Sequence, residues 1–346
     1  MYRFECDYGE SCHPAILERL AETNYMQTPG YGEDMFCEAA KELLMKECGL
    51  TPENCDIHFM IGGTQTNVTV IASLLRPYQG VVSAASGHIN VHETGAVEAT
   101  GHKVLAIPSA DGKLTAEAIQ TAYDVYYADD TKDHIVQPAM VYISWPTETG
   151  LLYSKAELTA ISQTCRKLGW PLYLDGARLG YGLMSSACDL TLAEIAQLCD
   201  VFYIGGTKQG MLMGEALVFT DRRLSQGYRS MMKNKAGMLA KGRLLGLQYL
   251  ALFEDGLYFR IAEQADKFAM EIRQAFMERG CDFLYPSMTN QQFPILPDEW
   301  LAKLEKDFAF SFWQRVDESH CAVRFCPSWA TQQEAVDALV QAIKNL

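Results

Sequence analysis

The residues able to do chemistry stand at the ends of apolar runs. In Pro171-Leu-Tyr-Leu-Asp-Gly-Ala-Arg-Leu-Gly the run ends in Asp175, and in Val201-Phe-Tyr-Ile-Gly-Gly-Thr-Lys-Gln-Gly it opens onto a glycine-flanked turn holding Thr207 and Lys208. Two strands ending this way deliver an acid and an amine to one edge of a sheet, which is what pyridoxal 5'-phosphate requires. The amine must be unprotonated to form a Schiff base, and burial near a cationic ring depresses its pKa. The acid must be ionised, so that the pyridine nitrogen keeps its proton and the ring can withdraw the electrons left on Cα. Taken singly, each has a plainer reading: Asp175 caps the next turn, and Lys208 lies in a solvated loop.

Three further stretches belong to the same chemistry. Gly62-Gly-Thr-Gln-Thr-Asn follows the run Ile57–Ile61 and opens a helical stretch, so the backbone N–H groups of Gly63, Thr64 and Gln65 and the Thr64 hydroxyl can face a phosphate. It has neither a P-loop ending nor a G-x-G-x-x-G spacing, and a plain glycine turn with a Thr cap is the alternative. In Ser86-Gly-His-Ile-Asn-Val-His-Glu, the imidazole of His88 can stack on a pyridine face, whereas His92 reads as structural. Arg324 stands in an otherwise apolar strand, Ala322-Val-Arg-Phe-Cys, where a guanidinium needs an anionic partner. That partner is a substrate α-carboxylate or an internal acid, and the same two readings hold for Arg178.

Positioning these groups takes a sheet. Apolar runs at Ile57–Ile61, Val81–Ala84, Val104–Ile107, Met140–Ser144, Leu172–Leu174, Val201–Ile204 and Ala216–Phe219 alternate with helical stretches such as Glu157–Leu168. Strand–helix alternation implies βαβ units and a mostly parallel sheet covered on both faces, with ligands at the carboxyl ends of the strands. Beyond Phe219 the pattern changes. Helices over Gly237–Phe253 and Tyr258–Arg279, short strands near Cys281–Leu284, Gln292–Ile295, Ala309–Trp313 and Cys321–Phe325, and a closing helix Gln332–Leu346 predict a smaller α+β unit. The division expected is an N-terminal segment 1–24 packing with the small domain, a large domain 25–250 and a small domain 251–346.

Composition narrows the partners. A formal charge of −14 over 346 residues disfavours diffuse binding to nucleic acid or anionic lipid, so an anionic ligand must be held locally. Eleven cysteines, an odd number without a Cys-x-x-Cys pair, read as reduced thiols, and no zinc-ligand spacing occurs. With no long apolar run and no signal-like segment after Met1, a cytoplasmic protein is expected.

On these motifs, Asp175-Gly-Ala-Arg-Leu above all, the chain resembles the low-specificity threonine aldolase and β-eliminating lyase family of fold-type-I pyridoxal-phosphate enzymes, from about Tyr31-Gly-Glu-Asp to the Arg324 strand. The resemblance implies a seven-stranded sheet with Glu215–Phe219 as its antiparallel member. It gives Asp175 to the pyridine nitrogen, Lys208 to the Schiff base, His88 to the ring face, Gly63 and Thr64 to the phosphate, and Arg178 and Arg324 to the substrate carboxylate. It also implies a homodimer or homotetramer whose subunits complete each other's sites, and cleavage of a β-hydroxy-α-amino acid such as threonine to glycine and an aldehyde. Elimination or transamination is the alternative reaction. Two departures stand out. Ser144-Trp-Pro-Thr-Glu-Thr-Gly replaces the family's Glu-Asn-Thr-His, leaving His88, Glu148, Glu93 or water as base, and the second phosphate cation is open among Arg229, Lys235 and Lys241.

Overall fold

A computed structural model describes residues 1–346. Its strands in chain order are β1 Tyr2–Arg3, β2 Asp56–Met60, β3 Gln79–Ala84, β4 Lys103–Ile107, β5 Gln137–Ser144, β6 Leu172–Asp175, β7 Val201–Gly205, β8 Glu215–Phe219, β9 Ile295–Pro297, β10 Phe308–Ala309, β11 Ser311–Arg315 and β12 His320–Arg324. Seven of them form one sheet in the order β2-β8-β7-β6-β5-β3-β4. β3 to β7 pair in parallel, and β8 runs antiparallel to both β7 and β2. The architecture is α/β, and each expected strand of this sheet falls within two or three residues of its observed bounds.

Alternation along the central strands explains why this sheet is covered on both faces. Val141, Ile143, Leu172, Leu174, Phe202 and Ile204 point into one core, and Met140, Tyr142, Tyr173, Val201 and Tyr203 into the other. β6, β7 and β8 are buried along their full length. The covering helix Lys155–Leu168 starts at a reciprocal cap between Ser154 and Glu157 and stops at Gly169, whose φ is +70°. It buries Leu158, Ile161 and Cys165, the face its periodicity marks.

The C-terminal part is built on the antiparallel sheet β11-β12-β9 and the helices Leu257–Glu278 and Gln333–Lys344, around Phe268, Phe276, Leu296, Val323, Phe325 and Val336. Phe4 joins that core, and β1 pairs in parallel with β10. Several details differ from the sequence reading. The helix expected from Gly237 begins at Arg243, because Gly242 packs its backbone on Gly32, where an added Cβ would lie 2.3 Å from the Gly32 nitrogen. Cys281–Leu284 is reduced to one bridge, Phe283 to Pro294. The single strand expected over Ala309–Trp313 divides in two, with β10 serving β1 and β11 serving β12. A short helix, Asp298–Leu304, follows β9 with Pro297 as its N-cap, where the sequence reading placed none.

Candidate active site

The carboxyl ends of β5, β6 and β7 open on a cavity of about 320 Å³. Asp175 is the last residue of β6, in register with Ser144 at the end of β5, and only 5% exposed. Four donors meet its carboxylate. Oδ1 accepts from the Tyr203 hydroxyl at 2.5 Å and the Ala177 amide at 3.0 Å, and Oδ2 from the Tyr142 hydroxyl at 2.7 Å and Asn67 Nδ2 at 3.1 Å. Burial alone would raise its pKa, but nearby His88 and the tyrosine and amide hydrogen bonds together hold it below the ordinary carboxylate range. Asp175 is therefore an anion inside a low-dielectric wall.

Lys208 enters from the turn after β7. Two glycines let the turns after β6 and β7 meet backbone to backbone: the Gly205 amide donates to the Gly176 carbonyl at 3.0 Å, and a Cβ on Gly176 would fall 1.9 Å from the Tyr203 carbonyl oxygen. The lysine turn is pinned by Glu215, the first residue of β8. Its Oε1 accepts the Thr207 hydroxyl at 2.8 Å and its Oε2 the Gly206 amide at 3.1 Å, while Thr207 Oγ1 accepts the Gly214 amide at 3.1 Å. The Tyr181 hydroxyl holds the Lys208 carbonyl at 2.7 Å. Burial and the adjacent Arg178 lower the Lys208 pKa, with Asp7, Asp175 and Glu215 opposing. Burial pushes Glu215 the other way, up to about 8.

His88 begins the short helix His88–Val91 and lies beside the same cavity. Its Nδ1 meets Glu93 Oε1 at 2.8 Å, and the same oxygen accepts Asn67 Nδ2 at 2.7 Å. This fixes the ring and leaves Nε2 as the nitrogen available to a ligand. Burial disfavours the imidazolium, but the Glu93 hydrogen bond and Asp175 outweigh it and raise the pKa. Glu148 accepts the His88 amide at 2.8 Å and the Ser144 hydroxyl at 2.6 Å, with its own pKa raised by burial. Across the cavity, the helix Gly63–Leu74 starts at Gly62 with no side-chain cap, so its first N–H groups are left for a ligand. Gly62, Gly63 and Thr64 all line the space, and a Cβ on Gly63 would crowd the Tyr203 hydroxyl at 3.1 Å.

The structure thus gathers Lys208, Asp175, His88, Gly63, Thr64, Thr207 and Arg178 around one cavity. The two carboxylate candidates stand differently. Arg178 lines it, but its Nε and Nη2 are taken by Asp7 Oδ2 at 2.6 Å and Oδ1 at 3.0 Å, the internal-acid alternative. A guanidinium this enclosed needs a counter-charge at all times, and Asp7, fully buried, provides it. Arg324 is absent from the cavity wall. It donates to Gln291 Oε1 at 3.2 Å and to the Glu5 carbonyl at 2.9 Å, while its Nε has no partner. None of Arg229, Lys235 and Lys241 lines the cavity either, and Arg229 is paired with Glu33 at 3.0 Å. The sequence reading missed Tyr142, Tyr203, Asn67, Glu215 and Asp7. A lone acid heading the apolar run Glu215-Ala-Leu-Val-Phe was a usable signal, and nothing marked Asp7.

The residues present suit a pyridoxal phosphate: a buried carboxylate to accept from the protonated ring nitrogen, an amine of depressed basicity to react with the aldehyde, and an uncapped glycine-edged helix start to donate to the phosphate. Comparison with known proteins agrees with this geometry. The sequence model of the beta-eliminating lyase family matches residues 13–298. A low specificity L-threonine aldolase of Pseudomonas aeruginosa is 28% identical over 354 residues, covering 99% of this chain and 97% of that one. The structure of a Leishmania major threonine aldolase superposes with a TM-score of 0.96 at 40% identity, covering 100% of this chain and 99% of that one. An aspartate aminotransferase of Thermus thermophilus, 14% identical, shares the fold with a TM-score of 0.71, covering 100% of this chain and 92% of that one. Sheet order and site together define an enzyme of the fold-type-I pyridoxal-phosphate class. Within that class, the chain belongs to the beta-eliminating lyase family.

Proposed function

We propose that this protein is a pyridoxal-phosphate-dependent aldehyde-lyase that cleaves L-threonine or L-allo-threonine to glycine and acetaldehyde. The observation that carries the reading is the convergence of Lys208 and the ionised Asp175 on one cavity in a chain so similar to threonine aldolases. When bound, the cofactor supplies a ring that takes up the electron pair left at Cα as Cα–Cβ breaks. Lys208, depressed in basicity, is the amine that would hold the cofactor aldehyde. Asp175 keeps a proton on the ring nitrogen. Gly63 and Thr64 receive the phosphate at the helix N-terminus.

The β-hydroxyl proton goes to His88 or Glu148. We favour these two over Glu93, which does not line the cavity and whose Oε1 already binds His88 and Asn67. Glu148 and His88 touch one another through the His88 amide and both line the cavity. Arg178, held by Asp7, presents its cationic plane toward the substrate carboxylate. Arg178 being held by Asp7 and Arg229, Lys235 and Lys241 lying off the cavity wall, we assign the second phosphate cation to a partner subunit, in a homodimer or homotetramer.

Absorbance and product analysis test this. The purified protein should show a visible cofactor band and release acetaldehyde from threonine, and Lys208→Ala should abolish both, with activity down at least ~1000-fold. Pyruvate and ammonia from serine, without acetaldehyde from threonine, would replace aldol cleavage by β-elimination. A persistent band in the variant would remove Lys208 from its role.

A further inference from the structure

A second cavity, of about 690 Å³, lies away from the one described, between the helices Leu179–Met184, Leu257–Glu278 and Gln333–Lys344. It is within the size range of small-molecule sites. Asp266 lines it from the second of these helices. The neighbouring turns bury Ala262, Ala265, Phe268 and Ala269, so Asp266 occupies a stripe where an apolar residue would cost nothing. It is 5% exposed, and neither carboxylate oxygen has a side-chain partner, only the Asn290 backbone facing the group. Leaving such a group unpaired is costly even when it is uncharged. Burial pushes its pKa well above the ordinary carboxylate range, with the Asn290 backbone acting weakly the other way.

The rest of the lining says what would relieve that cost. Met184, Met270, Met288 and Val340 give apolar, adaptable walls, suited to an alkyl stem. Glu271, Glu278 and Asp337 add acids around the same space. Of the two lysines present, Lys267 is occupied by Glu263 at 2.9 Å, and neither it nor Lys344 bonds Asp266. Two free oxygens on one buried carboxylate match the two parallel N–H groups of a guanidinium.

We infer that this cavity is a binding site for a small organic cation, a guanidinium head on an aliphatic stem, with Asp266 as its anchor. The cation restores the charge of Asp266 and fills both acceptor oxygens, while the stem lies along the methionines. Nothing in the proposal depends on which reaction the other cavity runs.

Calorimetric titration of the cofactor-loaded enzyme with n-butylguanidinium and with its neutral isostere n-butylurea tests it. Guanidinium was chosen because, unlike a primary amine, it does not condense readily with the cofactor aldehyde. Saturable binding of n-butylguanidinium is expected, at least ten-fold tighter than n-butylurea, and weakened at least ten-fold by Asp266→Asn. Absence of saturable binding, equal binding of the urea, or undiminished binding to D266N overturns the proposal. Should D266N not fold, the cation-against-urea comparison on the unaltered enzyme decides alone. Light scattering of D266N is the last arm: a reduced oligomer mass would assign Asp266 to a subunit contact and overturn the small-molecule site.

Discussion

At the scale of single residues, the cavity works by opposing pKa shifts on groups a few ångströms apart. Asp175 stays charged because four donors meet it, and two of these are tyrosine hydroxyls from the neighbouring strands β5 and β7. Removing one leaves an acceptor lone pair buried and empty. Tyr203→Phe is expected to raise the Asp175 pKa and lower kcat/KM about ten-fold, equivalent to about 1.4 kcal/mol. An unchanged rate and pH profile would show that the hydroxyl does not tune the anion. Glu215 behaves oppositely. Its carboxyl is raised from an ordinary 4.5 to about 8 in the fold, so as pH climbs the unfolded chain loses that proton first. Stability from this group is complete below about pH 4.5 and is lost as pH rises to about 8. Subtracting the melting temperatures of Glu215→Gln from those of the parent isolates it: the difference should move against the parent between pH 5 and pH 8, roughly, and parallel curves would contradict the assignment.

At the scale of elements, what brings acid and amine together is the close approach of two strand ends. Gly176→Ala places a methyl against the Tyr203 carbonyl and should cost about 3 kcal/mol in denaturant unfolding, with weakened cofactor retention. Gly169→Ala is the control, since space there is open and only the left-handed φ is strained, at about 1 kcal/mol. Equal costs would mean that backbone contact is not what limits the site. The strands themselves were legible because buried strands have to be continuous apolar runs bounded by glycine or acid, and Asp175 and Lys208 follow directly from those ends. The tyrosine donors to Asp175 were not, because Tyr142 and Tyr203 look like ordinary strand residues until the register places them on one face. The sequence left the partners of Arg178 and Arg324 open for a related reason: it tells that a buried arginine needs an anion, but not whether that anion is part of the chain, as Asp7 is for Arg178.

At the scale of the whole molecule, the N-terminal segment joins the two parts. Phe4 exchanges backbone hydrogen bonds with Ala309 and Cys326, the His13 amide reaches the Gly210 carbonyl close to Lys208, and between them Asp7 meets Arg178 and Asn290. Asp7→Ala strands a buried guanidinium and should destabilise the fold by about 3 kcal/mol. The double variant Asp7→Ala with Arg178→Met should recover much of that loss. Additive losses in the cycle would place the destabilisation elsewhere.

That same segment carries a consequence for biosynthesis. β1 is synthesised before every strand of the seven-stranded sheet, yet the strand that receives it, β10, follows all of them. The βαβ sheet can form while translation continues, but the carboxylate that neutralises Arg178 cannot be clamped in place until the last helices have been made. A nascent chain therefore holds the lysine turn and the glycine helix start early and acquires a charge-balanced substrate pocket late, so catalytic competence trails the folding of the sheet.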